Sequence, residues 1–379
     1  MRLPSAIVST ALGMALLPAC GGGEATLGET HEPVVYGTDN RVEYFDVPSP
    51  EGRARMSESM VAFIPKKFFA ASSSAGAAIV APSWGQADRL CPGEPFVDQP
   101  AAAFCTGVLV DWDLVLTAGH CARVMRLDDF SVVFGYYYSA PGQMARLESR
   151  EPVEIVAEAL TAEGEERWLD YAWLRLDRPV GAPWEPAPVR AGDPRLAVGE
   201  RIVPIGAGGG VPFKLDDGGN VTDAREGTLD YFYATTDTSR GSSGGGGFDA
   251  QLALTGILAG GEADFAQTEA GCATTERLPD GQQSGERFTY VQRAIEGLCQ
   301  GGNAKAISTI CRTSCGDPCR ALPFAPDEGG GCQYAASGAP ADWLTTLVVG
   351  GVLLFVRRTP MVRRPRSKLR GNLARARRS

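Results

Sequence analysis

Leu116-Thr117-Ala118-Gly119-His120-Cys121 closes an apolar run of strand length with small residues, then presents a histidine beside a cysteine. His120 is one of only two histidines in 379 residues. The other, His31, lies in a polar stretch just behind the N-terminal apolar segment. Any imidazole chemistry in this chain is thereby assigned to His120. An unperturbed pKa of about 6.5 lets such a group take and return a proton near neutrality.

Working outward, short apolar runs such as Val132-Val133-Phe134, Ile202-Val203-Pro204-Ile205 and Leu252 to Leu258 have strand length. Glycine-rich breaks separate them at Gly206 to Gly210, Gly218-Gly219 and Gly244 to Gly247. Hydrophobic residues make up 44%, aromatics 8%, and there are 47 Gly and 26 Pro, a mixture that favours a loop-rich β protein. Helical periodicity first appears at Tyr290 to Leu298, where Val291, Ala294, Ile295 and Leu298 share one face. Many short strands closed by one helix predict an all-β antiparallel double barrel with a C-terminal helix. No repeat of solenoid length is present.

Both ends carry export or membrane signals. Arg2, an apolar run from Ala6 to Leu17 and Leu17-Pro18-Ala19-Cys20 read as a signal peptide over residues 1–20. With Gly21-Gly22-Gly23 following, this resembles a bacterial lipoprotein lipobox, in which Cys20 would be lipidated. An ordinary secretory signal with an incidental cysteine is the other reading. Residues 21–33 are a tether. Trp343 to Val356 is a fourteen-residue apolar stretch, against the roughly 20 residues of a spanning helix. Residues 357–379 then carry ten Lys or Arg and no acid, and without those ten charges the net −9 becomes −19. That asymmetry fits a positive-inside membrane end rather than nucleic-acid binding. Gly329-Gly330-Gly331-Cys332, the apolar segment and the arginines resemble the C-terminal sorting tails of myxobacterial surface proteins, with a plain stop-transfer anchor as the alternative. Residues 332–379 form this tail, held to the membrane through one or both ends of the chain. The localisation expected is the cell envelope or cell surface.

Ten cysteines in an exported chain read as a disulfide framework. Cys91, Cys105, Cys121 and Cys272 fall in the globular region, and Cys299, Cys311, Cys315 and Cys319 beyond it. The last three have C-x3-C-x3-C spacing, but no histidine is near, so residues 299–331 read as a disulfide module or linker rather than a zinc site. No metal and no cofactor are expected.

Phe104-Cys105-Thr106-Gly107 and the His120 segment resemble the histidine region of chymotrypsin-like serine proteases. The resemblance implies two six-stranded antiparallel barrels over residues 34–298, and a Cys105–Cys121 bridge fixing the histidine loop. Gly241-Ser242-Ser243-Gly244-Gly245 is similar to the family's nucleophile loop, which needs Gly two residues before the serine and Gly directly after. Ser243 meets both conditions and Ser242 neither. The N–H groups of Gly241 and Ser243 would form the oxyanion hole. The family's order of histidine, acid and serine puts the acid between them, and Leu169-Asp170-Tyr171-Ala172-Trp173-Leu174 resembles its segment. Asp170 is preferred over Asp177, which sits in a turn-like Leu-Asp-Arg-Pro.

Val34 to Arg41 looks like the mature start of the glutamyl-endopeptidase-like bacterial branch. Asp237 matches the acid at the base of the trypsin-type specificity pocket, with Gly260 and Gly261 leaving its walls open, which would favour Lys or Arg before the cut. Two departures stand out. Ser242 replaces the acid that digestive relatives pair with a new N-terminus, and Leu258 replaces the histidine of glutamate-specific members. Gly246 and Gly247, in place of a proline and an apolar residue, predict a loosened strand. The expected function is a serine endopeptidase acting on protein or peptide substrates. The alternatives are a catalytically silent surface binding or adhesion protein, and an esterase using the same residues.

Overall fold

The structure is a computed structural model that describes residues 35–70, 78–161, 168–261, 265–278, 285–300 and 310–311. The expected signal, tether, Val34, Cys20, Cys315, Cys319, Cys332 and the basic tail lie outside the described residues.

The first half builds a curled antiparallel sheet from β1 (Met60–Pro65), β2 (Cys105–Asp111), β3 (Leu114–Thr117), β4 (Phe130–Phe134), β5 (Glu148–Arg150), β6 (Pro152–Leu160) and β7 (Asp170–Leu176). Its order is β6-β7-β3-β2-β1-β4-β5. The second half uses β8 (Arg201–Gly206), β9 (Lys214–Asp216), β10 (Gly219–Asp223), β11 (Tyr231–Ala234), β12 (Gly246–Phe248), β13 (Leu254–Gly260) and β14 (Glu286–Tyr290). Here β10-β11-β14-β13-β12-β8 closes into a six-stranded barrel, because β8 also pairs with β10. The all-β fold with a C-terminal helix is as expected, and the second barrel has the six strands predicted. The first differs: it is a seven-stranded half-barrel. Its edge strands β5 and β6 run into one another through Glu151, so one bent segment supplies both edges. Register shifts between Pro152 and Glu154 and between Ile155 and Ala157 mark bulges along that segment, which bend a strand and increase its twist.

Continuous apolar runs arise where a strand is buried on both faces. In Met60-Val61-Ala62-Phe63-Ile64, alternate residues point opposite ways. Val61 and Phe63 fill the first half-barrel with Leu109, Phe130, Phe134 and Leu174. Met60, Ala62 and Ile64 face the seam between the halves, with Trp173, Ile205, Phe248 and Ile257. The second barrel is filled by Ile202, Val221, Leu258 and an aromatic group in which the Phe232 and Phe288 rings stack 5.2 Å apart.

Gly246 and Gly247 are buried, and the strand is filled rather than loose. A Cβ at Gly246 would stand 2.5 Å from the Phe248 ring, and one at Gly247 would stand 2.9 Å from Phe288. The missing side chains make room for aromatic rings.

Helix α2 (Val291–Gln300) closes the domain. Val291, Ala294, Ile295 and Leu298 join the seam, and Trp173 donates its indole N–H to the Ala294 carbonyl at 2.8 Å. Disulfides link Cys105 to Cys121, Cys91 to Cys272, and Cys299 to Cys311. The third ties residue 311 back to the end of α2, so that cysteine is committed to a bridge. No helix among the described residues is long and apolar enough to cross a membrane.

Gly297 lets α2 approach the first half-barrel: a Cβ there would stand 1.8 Å from the Tyr171 hydroxyl. Gly297→Ala should therefore destabilise the protein by about 1–3 kcal/mol, the usual cost of overpacking. Combining it with Tyr171→Phe should recover part of that loss. Denaturant midpoints of the two single variants and the double variant check the coupling.

Candidate active site

His120 lies on a six-residue helix, α1 (Gly119–Val124), that begins directly after β3. The residue before it, Ala118, has no side-chain oxygen to receive the first amide groups. Asp170, the first residue of β7, supplies one from a neighbouring strand. Its Oδ1 accepts the His120 main-chain N–H at 2.9 Å, and its Oδ2 lies 2.7 Å from His120 Nδ1. One carboxylate thus fixes both the backbone and the ring of the histidine. The Asp170 side chain is 2% exposed and that of His120 is 17%, so the acid is dry while the imidazole reaches the surface of the cleft. Gly119 permits the approach, since a Cβ there would stand 2.6 Å from the Ala159 carbonyl and 2.9 Å from Asp170 Oδ1.

Thr289, on β14 of the second barrel, completes the setting. Its hydroxyl accepts the Asp170 N–H at 3.3 Å and lies 3.1 Å from the Asp170 carbonyl. Asp177, the rival acid, sits in a turn, where its carboxylate accepts the Glu151 N–H and pairs with Arg178.

Ser243 belongs to the loop between β11 and β12. Thr106, next to the bridged Cys105, donates its N–H to the Ser243 carbonyl at 2.8 Å. Cys121, next to His120, has its sulfur 3.7 Å from that same oxygen. The disulfide therefore joins the histidine helix and β2 against the back of the serine loop. Gly241 and Gly244 have φ of +100° and +78°. A Cβ at Gly244 would stand 2.2 Å from Thr117 Oγ1 and 2.3 Å from the Thr106 carbonyl. Glycine on both sides of the serine is a steric requirement here. The Thr106 hydroxyl donates to the Gly241 carbonyl at 2.7 Å, holding the front of the turn.

Ser242 points away, against Gly206 and Gly208. The grouped metal-type donors Cys105, His120 and Cys121 offer no thiolate, because both sulfurs are in the disulfide.

Asp237, expected at the base of a specificity pocket, is buried and lines a cavity with Gly206, Gly208 and Ser242. Its Oδ1 accepts the Tyr36 N–H and its Oδ2 the Asn40 N–H, each at 2.7 Å. Both oxygens are thus taken by the N-terminal segment. Its own N–H donates to Asp216 Oδ2 at 2.6 Å. Burial, and then the nearby Asp216 carboxylate, push Asp237 up to about 7. Burial pushes Asp216 up to about 6, against the pull of its N–H donors and of Arg41.

The acid that stands against Gly261 is Glu286, fully buried, with the Tyr36 hydroxyl 3.5 Å from its Oε1. Sequence reasoning passed over Glu286, Arg287 and Thr289 because they precede the helical pattern. The alternation in Glu286-Arg287-Phe288-Thr289-Tyr290 was the available signal of a strand.

Residues 105–257 match the trypsin-like peptidase domain family. With the fold above, this segment is similar to a trypsin-like peptidase domain. Among solved structures, a Glu endopeptidase in complex with MPD is 20% identical, covering 64% of this chain and 94% of that one, with a TM-score of 0.37. Neuropsin, a serine protease expressed in the limbic system of mouse brain, is 15% identical, covering 68% and 96%, with a TM-score of 0.40. No curated protein matches the chain.

Two outcomes test this geometry. Gly244→Ala should abolish hydrolase activity and lower the denaturant midpoint, because its methyl group meets fixed backbone. The Asp216–Asp237 pair should make stability fall with rising pH. Both carboxyls are raised in the fold above the ordinary 3.8, so their contribution is fully present below about pH 4 and is lost as pH rises through about 7. Thermal midpoints measured from pH 5 to 8 should drop less in Asp216→Asn than in the wild type.

Proposed function

We propose that the chain is an exported serine endopeptidase, tethered to the cell envelope through one or both ends, in which Ser243, His120 and Asp170 form the catalytic triad. The observation that carries this reading is the single dry carboxylate of Asp170 on both the ring and the main chain of His120. That arrangement holds Nδ1 as the protonated nitrogen and leaves Nε2 to act as the base.

Ser243 Oγ attacks the peptide carbonyl while His120 Nε2 takes its proton. The N–H groups of Gly241 and Ser243 receive the negative charge developing on the carbonyl oxygen. His120 then gives the proton to the leaving amine, and the acyl group stays on Ser243 until water, deprotonated by His120, releases it. Asp170 holds the ring and stabilises the imidazolium that forms. No cofactor enters the scheme.

The three disulfides among the described residues agree with an oxidising compartment outside the cytoplasm. The lipidation of Cys20, a mature start at Val34, the disulfide module and the sorting tail rest on the sequence alone. A silent binding scaffold would be favoured by a loosened Gly246-Gly247 strand and by anchoring at both ends, and the tight packing of Gly246 and Gly247 against Phe248 and Phe288 removes the first of these.

The test is covalent labelling of the full chain by an organophosphonate, with peptide mapping. Adduct is expected on Ser243 and should be lost in His120→Ala. Turnover of peptide substrates in Ser243→Ala, His120→Ala and Asp170→Asn should fall by about 10⁴-fold or more, with unchanged denaturant midpoints in the first. Full activity in Ser243→Ala would sink the assignment. Hydrolysis of small esters without any peptide cleavage would make the protein an esterase instead.

A further inference from the structure

Arg287 takes no part in the chemistry above, yet the fold delivers it to the edge of the site. Side chains alternate along β14, so Glu286 is buried against Gly261 while Arg287 turns to the opposite face. There its guanidinium carbon lies 3.3 Å from the Trp168 ring centroid and 5.8 Å from that of Tyr231. Tyr231 packs edge-on to Trp168 at 5.8 Å and to Tyr233 at 5.4 Å. Trp168 is two residues before Asp170. Gly260, the cross-strand partner of Arg287, is two residues past Leu258, whose main chain is bonded to Gly244 and Gly245 beside Ser243.

Arg41, Arg150, Arg175, Arg225, Arg293 and Lys214, cations comparably shielded, each have a carboxylate partner. Arg287 has none among the described residues, and its Nε is buried without an acceptor there. Among the described residues, a Cβ at Gly260 would find only Arg287 Nη2, at 3.5 Å. The ladder between β12 and β13 ends at Ile257, and past Leu258 no described strand pairs on the side of the serine loop. That edge, unpaired among the described strands, is buried at Ala259 and Gly260 and half-buried at Gly261, where an extended peptide added as a further strand about 4.8 Å away would reach it. One of its outward side chains would then lie over the guanidinium.

We propose that Arg287, held flat by Trp168 and Tyr231, is a subsite for a carboxylate side chain of the substrate, so that Asp or Glu is preferred at one position of the peptide lying along Ala259–Gly261. A guanidinium held in one plane matches a carboxylate with two parallel hydrogen bonds. The inference rests on the peptidase reading of Ser243.

The test uses the full chain and internally quenched peptides sharing one cleavable core, with Glu, Gln or Lys scanned through three positions on each side of the bond. Glu should exceed Gln by about 10-fold in kcat/KM at one position, the lower end of what a hydrogen bond to a charged group contributes. That ratio should shrink with added salt. It should fall to about one in Arg287→Gln and invert towards Lys in Arg287→Glu. Inversion requires a folded, cleaving protein, so it separates lost recognition from lost fold. If Arg287→Gln proves inactive on every peptide, the salt series on the wild type decides, and a ratio indifferent to salt overturns the proposal. So does the absence of any Glu-preferring position, or a preference that survives Arg287→Gln. Phosphonate labelling of Ser243 with a flat Glu-to-Gln ratio overturns this inference alone. No labelling and no cleavage overturn the peptidase reading and this one together.

Discussion

A buried carboxylate at the joint of the two halves governs the arrangement of the site. Asp170 opens β7 at the point where that strand passes under α1 and beside β14 of the second barrel. An ionised acid out of water is costly unless every lone pair finds a donor. Here the His120 ring and the His120 main chain provide two, one on each oxygen. The demand of the acid and the orientation of the histidine are thus one requirement. Thr289 adds a main-chain clasp from the other barrel, so displacement of either half disturbs the same few atoms. Gly119 belongs to this constraint as well, because any side chain there would push the helix off the carboxylate.

The serine loop is held from three directions by groups that are not catalytic. Thr106 binds it through main chain and hydroxyl, at Ser243 and at Gly241. Leu258 and Gly244 join it to β13. From below, Asp237 gathers the amides of Tyr36 and Asn40, which couples the N-terminal segment to the six residues leading to Ser243. Two acids, Asp216 and Asp237, meet in that region, and Arg41 lies close enough to pull on both. A movement of residues 35–42 would therefore reach the loop through hydrogen bonds rather than through loose packing.

Much of this was legible because it depends on local pattern. His120 was singled out by scarcity as the candidate base, and Ser243 was preferred to Ser242 on its two flanking glycines, at each of which a Cβ would meet backbone. The strands at Val132, Ile202 and Leu254 followed from apolar runs between turns. What escaped was set by partners far away in sequence. Nothing near Asp237 indicates that residues about 200 positions earlier consume its oxygens. The bend at Glu151, through which one segment supplies both edges of the first half-barrel, has no glycine or proline of its own; only Pro152 follows it. The pairing of Cys91 with Cys272 spans 181 residues and could not be read from spacing.

The glycines illustrate the difference between reading a residue and reading its surroundings. From sequence alone, Gly246-Gly247 and Gly260-Gly261 look alike, as pairs without side chains in or near strands. In the fold they do opposite things. The first pair is consumed by the Phe248 and Phe288 rings, so its emptiness is only apparent and adds stiffness. The second pair lies at the end of β13, with the Glu286 carboxylate against one member and the Arg287 guanidinium beside the other. Because β14 alternates its faces, these opposite charges lie on different sides of the sheet. The same absence of side chains that packs one strand leaves the other edge chemically addressed, and only the neighbouring strand decides which.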